Sequence, residues 1–442
     1  MKTKSKKLWA WIGIAFLALI VLVFAVRVVF DYTAGRKLDA AFAKLKAEGK
    51  RLSIQEFEPG CKDEDNAALI WKGVEKMFIG DFDTGTTINR PFEPLFSGQP
   101  LSDESRKLIA EAALKNGKSF ELVRAAAAKS CFKYNTNWSN VDELEFPEAV
   151  KMLRCLRLFL LNSLLQAEKG NVDQAIDDCA SVLRFAHLYL GEPFLLNRLI
   201  ALALLRHQVF ILNTLVSERK VDPGRIRYLL LLLESVPLRS TFPLVFEGER
   251  ALSLGFYFNI IKGNEDIVET PFRTVNKPLS WVLRPLVKAE VVYSFGLWDA
   301  IEPAFRLPYY ESREARNRFI KKFKTTPWHY KIIGYLAPDF SAVFVKETDR
   351  EADLAVARVG LGCELFKGQN GRLPETLSEL VPGILKDIPV DPYTGKSLIY
   401  NKSGDGFIVY SVGSNEKDDG GRGTWMRDKL VLEKDDDIAW RK

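Results

Sequence analysis

The chain has 442 residues, 47% hydrophobic and 12% aromatic, which is enough apolar side chain to bury a large core over two or three domains and excludes a disordered scaffold. Of the formal charge of +6, four units are Lys2, Lys4, Lys6 and Lys7, so the rest of the chain is nearly balanced and a basic nucleic-acid surface is not indicated. Cys61, Cys131, Cys155, Cys179 and Cys363 are far apart and form no C-x-x-C pair, which disfavours zinc or haem attachment.

The lysine cluster precedes an uncharged run over residues 8–26, with Trp9 and Trp11 at its start. At 1.5 Å per residue the run reaches roughly 28 Å, close to the hydrocarbon thickness of a bilayer. More positive charge before the run than after it, where Arg27, Arg36 and Lys37 follow, predicts a cytoplasmic N-terminus. The expectation is a single-pass anchor over residues 8–30 in a bacterial inner membrane, with residues 1–7 cytoplasmic and the bulk periplasmic. A cleaved signal peptide ending near Val23 and Ala25 is the alternative, and the first cysteine, Cys61, is too distant for lipoprotein-type anchoring.

Residues 31–338 read as an envelope-side helical domain. A short amphipathic helix over 35–50 continues from the membrane, and a polar stretch over 58–100 mixes helix and loop. In an oxidising compartment Cys61 and Cys131, both in loop-like stretches, can form a disulfide. The alternative is that all five cysteines are small buried hydrophobes. Ser102, Asp103 and Glu104 begin a helix as cap and acidic first turn, continued by Leu108, Ala112 and Lys115 to about Asn116. Two apolar helices over 146–169 and 172–190 flank the break Gly170-Asn171. Residues 195–216 are apolar enough to suggest a second span, but Arg198, Arg206 and His207 each raise the cost of immersion, so a buried soluble helix is expected. Pro223 starts the next helix, which carries Leu229 to Leu233 and stops before Pro237. From 237 to 338 prolines recur among dense aromatics, which predicts broken helices packed on the hairpin. Trp281, Arg284 and Lys288 can alternatively rest on the membrane surface near the anchor.

Residues 339–442 form the tail. Ala352, Val356, Val359, Cys363 and Phe366 make an apolar stripe on one helix face, ending at Gly368. Asp391-Pro392 with Gly395 is turn chemistry, residues 397–400 and 407–411 are β-rich, and Gly404-Asp405-Gly406 turns the chain between them. A small antiparallel sheet under the stripe follows. The predicted fold class is therefore mostly α, with a transmembrane helix, a multi-helix domain and a small α+β tail.

Two resemblances sharpen this. The turn around Ala167, Gly170 and Ala175 resembles that of a tetratricopeptide-type helical hairpin, though no second copy occurs at a 34-residue period. The tail resembles the globular domain of type II secretion major pseudopilins. It carries a G-R-x-P-x-x-L turn at Gly371 to Leu377, D-P-x-x-G-x-x-x-x-Y at Asp391 to Tyr400, Y-S-x-G at Tyr410 to Gly413 and D-I-x-W at Asp437 to Trp440. That resemblance implies a calcium ion in the acidic loop, held by Asp418, Asp419, Asp436 and Asp437 with backbone carbonyls near Val412. The N-terminus departs from the family, since residues 7–11 lack the glycine and glutamate of a prepilin peptidase signal. The whole arrangement is similar to uncharacterised membrane-anchored proteins of Planctomycetes-type bacteria with a tetratricopeptide-like region, which supplies no function.

His187, His207 and His329 show no H-E-x-x-H spacing, and no nucleophile elbow, Walker loop or dinucleotide fingerprint is present. Glu247, Glu249 and Arg250 read as a solvated charge run, with an acid-base group as the sharper alternative. These observations lead to an expected membrane-anchored, envelope-side interaction or structural protein, accessory to secretion or envelope assembly, with protein partners. A hydrolase with dispersed residues and a helical peptide-binding module are the alternatives.

Overall fold

The computed structural model describes residues 2–80, 101–135, 137–138, 141, 144–262, 277–330, 340–422 and 437–442. Its first element, α1 (Lys2–Ala47), is one unbroken helix of 46 residues that merges the expected anchor with the expected amphipathic helix. Among the described residues, three segments are long and apolar enough to cross a membrane: Trp11–Ala47, Leu195–Glu218, and Pro223–Asn259. Their most apolar windows are 0%, 72% and 39% buried, so only the first leaves its apolar surface wholly bare.

After α1 come α2 (Ala67–Met77), α3 (Asp103–Lys115), α4 (Gly117–Ala127), α5 (Ala149–Glu168), α6 (Val172–Tyr189), α7 (Leu195–Glu218) and α8 (Pro223–Ser235). Local chemistry sets their ends. Asn66 accepts from Ala68 N, Ser102 from Ser105 N, and Asp222 from Gly224 N and Arg225 N ahead of Pro223, each satisfying first-turn donors that a helix leaves unpaired. Gly170, at φ +91°, lets Asn171 N reach Gln166 O (2.9 Å), which closes α5 and turns the chain into α6. The hairpin α5–α6 is packed on by α3, α4 and α7, and a single core gathers α2 to α8 with the tail. Cys61 and Cys131 are disulfide-bonded, with Cα atoms 5.9 Å apart. The other three cysteines are buried thiols, as a small apolar role requires.

The expectation of broken helices over 237–338 is corrected. Two long helices run there, α9 (Leu238–Lys262) with Pro243 inside it and α10 (Lys277–Arg306) with Pro285 and Pro303 inside it, followed by α11 (Arg313–Lys324). A proline inside a helix removes one N–H and frees the carbonyl four residues earlier, so the helix continues only where that carbonyl finds another donor. At Pro285 the freed carbonyl is that of Trp281, and Arg27 of α1 donates to it. Phe242, Phe246, Trp298 and Phe305 then knit α9 to α10, with Phe242 and Phe305 ring centres 4.5 Å apart. The lower part of α1 completes the bundle through Leu38 and Leu45, and Phe42 meets Phe258 and Phe295 at 5.3 and 5.4 Å.

The last helix, α12 (Phe340–Asn370), carries the predicted stripe and packs on α7, α8 and a three-stranded antiparallel sheet ordered β1 (Ile399–Ser403), β2 (Gly406–Ser411), β3 (Ile438–Arg441). The turn at Gly404, φ +56°, pairs Ser403 with Gly406 in register. Trp440 of β3 lies so close to α12 that a Cβ on Gly360 would sit 2.4 Å from its ring. Arg441 O accepts from Asn213 Nδ2 and Ser217 Oγ of α7, both at 2.9 Å, so the sheet is fastened to the helical body as well as to its own helix.

Candidate functional site

The N-terminal half of α12 is strongly charged, yet Glu347, Thr348, Asp349, Arg350 and Asp353 are all buried. A helix can bury such a run only if each charge meets a partner. Glu347 is gripped by Arg198 of α7 through Nε to Oε2 (2.9 Å) and Nη2 to Oε1, with the pair 0% and 1% exposed. The same guanidinium donates to Thr241 Oγ1 (2.7 Å) and to Leu238 O, tying α7, α9 and α12 together. Tyr393, from the Asp-Pro turn, donates to Asp349 Oδ1 at 2.6 Å, and Arg350 pairs with Asp353 at 3.0 Å. His207 is buried on α7 and its pKa is held well below the usual value, first by burial and then by Arg157, Arg206 and Arg350, so the ring stays neutral. The arginine in the apolar α7 is the signal that a buried carboxylate must exist elsewhere, but the sequence does not say where.

This seam opens on a cleft of about 330 Å³ between α8, α9, α12 and the 308–310 and 389–392 turns. Leu238, Pro308, Tyr310, Leu354, Val390 and Pro392 form its apolar walls, and Glu234, Arg239, Glu351 and Arg358 its polar side. Arg239 Nη1 reaches Glu351 Oε1 at 3.3 Å, while Arg358 Nη2 is shared by Glu234 (3.2 Å) and Asp387 (3.3 Å). Burial pushes Glu351 up to about 7, opposed by Arg239 and assisted by Glu347, so at neutral pH it can hold or release a proton. Val390 and Tyr310 are exposed at its rim. Along the hairpin, the hollow bounded by Leu164, Ala167 and Leu215 is only about 50 Å³.

The sequence-derived candidates lie elsewhere. The reading of Glu247, Glu249 and Arg250 as a solvated face is corrected. Glu249 and Arg250 are buried, and Glu249 Oε1 accepts from Leu195 N (2.7 Å) at the start of α7. Arg250 Nη2 reaches Arg51 O (3.2 Å), and Glu247 pairs with Arg51 (2.6 Å) and Arg306 (3.3 Å). The three groups hold elements together, and none of them lines the cleft beside Val390. His187 is half-buried, His329 is exposed beside Trp328 and Tyr330, and neither approaches His207 in the chain's packing as a cluster, since among the described residues no three His, Cys, Asp or Glu side chains gather as a metal ligand set.

Of the four acidic-loop residues, Asp436 lies outside the described residues. Asp418 Oδ1 accepts from Tyr410 Oη (2.8 Å) and Gly420 N (2.9 Å), and Asp419 Oδ2 from Asn415 Nδ2 (2.8 Å). Asp437 Oδ2 accepts from Asp419 N (3.0 Å) and Gly421 N (2.7 Å), while its Oδ1 is buried with no hydrogen bond from the described residues. Burial, with the charges of Asp419 and Asp418 nearby, raises Asp437 to about 6 against the pull of Gly421 N.

Comparison with protein-family models, curated proteins and solved structures finds no match to this chain.

Proposed function

We propose that this is a single-pass protein of a bacterial cytoplasmic membrane whose helical body and pseudopilin-like tail stand on the envelope side and bind protein partners, as an accessory to secretion or envelope assembly. The observation that carries the reading is α1, a single helix whose first part is bare apolar surface and whose last part is built into the body through Leu38, Phe42 and Leu45. A helix of this kind has a stable place only in a bilayer. The lysines that precede the apolar run support a cytoplasmic start, and the Cys61–Cys131 bridge supports an oxidising far side. The burial of α7 favours one span over two.

In this reading the partner segment enters the cleft beside Val390 and Tyr310, where apolar walls and the arginines Arg239 and Arg358 suit an extended chain carrying an acidic group. Two experiments test it. A membrane-impermeant maleimide added to cells with a permeabilised outer membrane should modify Leu114→Cys and spare Lys4→Cys, and the reverse pattern refutes the orientation. A photo-crosslinker at Val390 should give a discrete protein adduct that Arg358→Glu abolishes; adducts insensitive to that change refute the cleft.

A pseudopilin-like calcium site belongs to the same proposal. Its support is Asp437 Oδ1, buried with no hydrogen bond from the described residues; Asp418 and Asp419 spend oxygens on nearby donors and do not complete a ligand set with it. Equal melting temperatures of the full chain in calcium and in EGTA would remove it. Glu351 favours a second reading, an unrecognised hydrolase, because a carboxyl near 7 borders the cleft next to Arg239. Turnover of an ester, peptide or glycan panel that Glu351→Gln eliminates would establish that reading, and no turnover would end it.

A further inference from the structure

The apolar exterior of α1 does not stop where the uncharged run stops. Val28, Val29, Phe30 and Tyr32 are exposed like the residues before them, with Trp9 70% and Tyr32 65% exposed at the two ends of the band. From Trp9 to Tyr32 the helix rises about 35 Å, more than the ~30 Å of a hydrocarbon core. Arg27 and Asp31 interrupt the band in sequence but not in space, because both turn toward α10. Arg27 Nη1 lies 3.9 Å from Asp31, Lys288 Nζ lies 2.9 Å from Asp31, and the Arg27 guanidinium sits 3.6 Å from the centre of the Trp281 ring. Arg27 also donates to the Trp281 carbonyl that Pro285 leaves without its helical donor. Phe24, inside the apolar run, stacks on Trp281 at 5.8 Å. α1 and α10 run parallel from here, as Asp31 with Lys288 and Phe42 with Phe295 show.

The heights match a membrane. Trp9 and the Arg27–Trp281 contact are about 27 Å apart along α1, the separation of the two interfaces of a bilayer, and tryptophan is enriched at both. On α1 the tryptophans stand only at the first interface, Trp9 and Trp11.

We propose that α10 supplies the second aromatic belt of the anchor: its Trp281 and Val282 sit in the interface of the membrane beside α1, covered by lipid. This rests on the reading of α1 as a membrane span and adds a second element to it. α10 closes over Arg27 and Asp31, so these two charges are turned away from the acyl chains. Trp281 and Val282, 38% and 54% exposed, then extend the lipid-facing surface sideways from the span. Lys288, one to two turns further on, ties the junction at the level where phosphate groups begin.

The test uses the full chain in vesicles of phosphatidylcholine and phosphatidylglycerol. Single cysteines replacing Val21, Tyr32, Val282 and Leu114, all exposed side chains, carry an environment-sensitive NBD label. The expected result is blue-shifted emission quenched by doxyl-labelled lipid at Val21, Val282 and Tyr32, with shallow-doxyl lipid most effective at Val282, and no quenching at Leu114. Quenching at Val21 with water-like emission at Val282 overturns the proposal and leaves the anchor standing. Blue-shifted but lipid-insensitive emission at Val282 places protein, such as a second copy, on this face and also overturns it. Absence of quenching at Val21 overturns both readings together.

Discussion

Replacing Glu347 by alanine should be among the most destabilising single changes in the body. The carboxylate and the Arg198 guanidinium are 1% and 0% exposed and meet through two parallel hydrogen bonds, one of 2.9 Å. Two unit charges about 4 Å apart attract by roughly 4 kcal/mol at an effective dielectric of 20. Their joint desolvation offsets much of this, so the pair as a whole adds little. Removing one partner is different, because the other keeps its burial and loses its compensation, which costs about 3–5 kcal/mol. Glu347→Ala leaves Arg198 hydrogen-bonded to Thr241 and Leu238 O but without its buried carboxylate partner. Arg198→Met with Glu347→Leu removes both charges together with the hydrogen bonds from the guanidinium to Thr241 and Leu238 O, at about 1–3 kcal/mol. The order of stability should therefore be wild type, double variant, then either single variant. Urea titration of the detergent-solubilised full chain, followed by tryptophan fluorescence, measures it. A double variant as unstable as the sum of the two singles would refute the reasoning, because it would show the charges to be independent.

Three further outcomes follow from the geometry. Burial raises Glu192 to about 8 and Glu249 and Glu351 to about 7, so their stabilising protonation is complete below about pH 4.5 and is lost as pH climbs through 7 and 8. The melting temperature should fall over that window, and Glu192→Gln should flatten its upper end; an unchanged profile in that variant counts against the assignment. Gly360→Val should cost about 1–3 kcal/mol and weaken the near-ultraviolet signal of Trp440, since its Cβ alone would meet that ring at 2.4 Å. Cys61→Ser with Cys131→Ser opens a cross-link spanning 70 residues, worth about 4 kcal/mol by chain entropy, and reducing agent should lower the melting temperature of the wild type but not of the double variant.

Local signals led to local structure. Ser102, Pro223 and Gly170 announce helix ends that the structure keeps, and the Gly404 turn sits where its glycines and aspartate put it. The antiparallel sheet under the stripe is present, but its third strand was not legible. Ile438–Arg441 is four residues long, and its pairing with β2 crosses more than twenty intervening positions. The charged seam was hidden for a related reason. Glu347 and Arg198 are 149 residues apart, and periodicity within one helix carries no information about a partner so distant. Glu249 and Arg250 looked solvated because a charge run normally is, and only the approach of α7 and the 50–52 link buries them. The cleft falls in the same class, being built from four stretches that no single motif contains.

The continuity of α1 from the first lysines to Ala47 has a mechanical consequence. A body joined to its anchor by a slack linker would sweep a hemisphere and sample every orientation. Here the rod that carries the bare apolar surface is bolted along its C-terminal third to two other helices, so tilt or rotation of that surface turns the cleft through the same angle. The molecule is mounted like a bracket: under the proposed function, a partner at Val390 is presented at one height and one bearing, and a force on it is felt along α1.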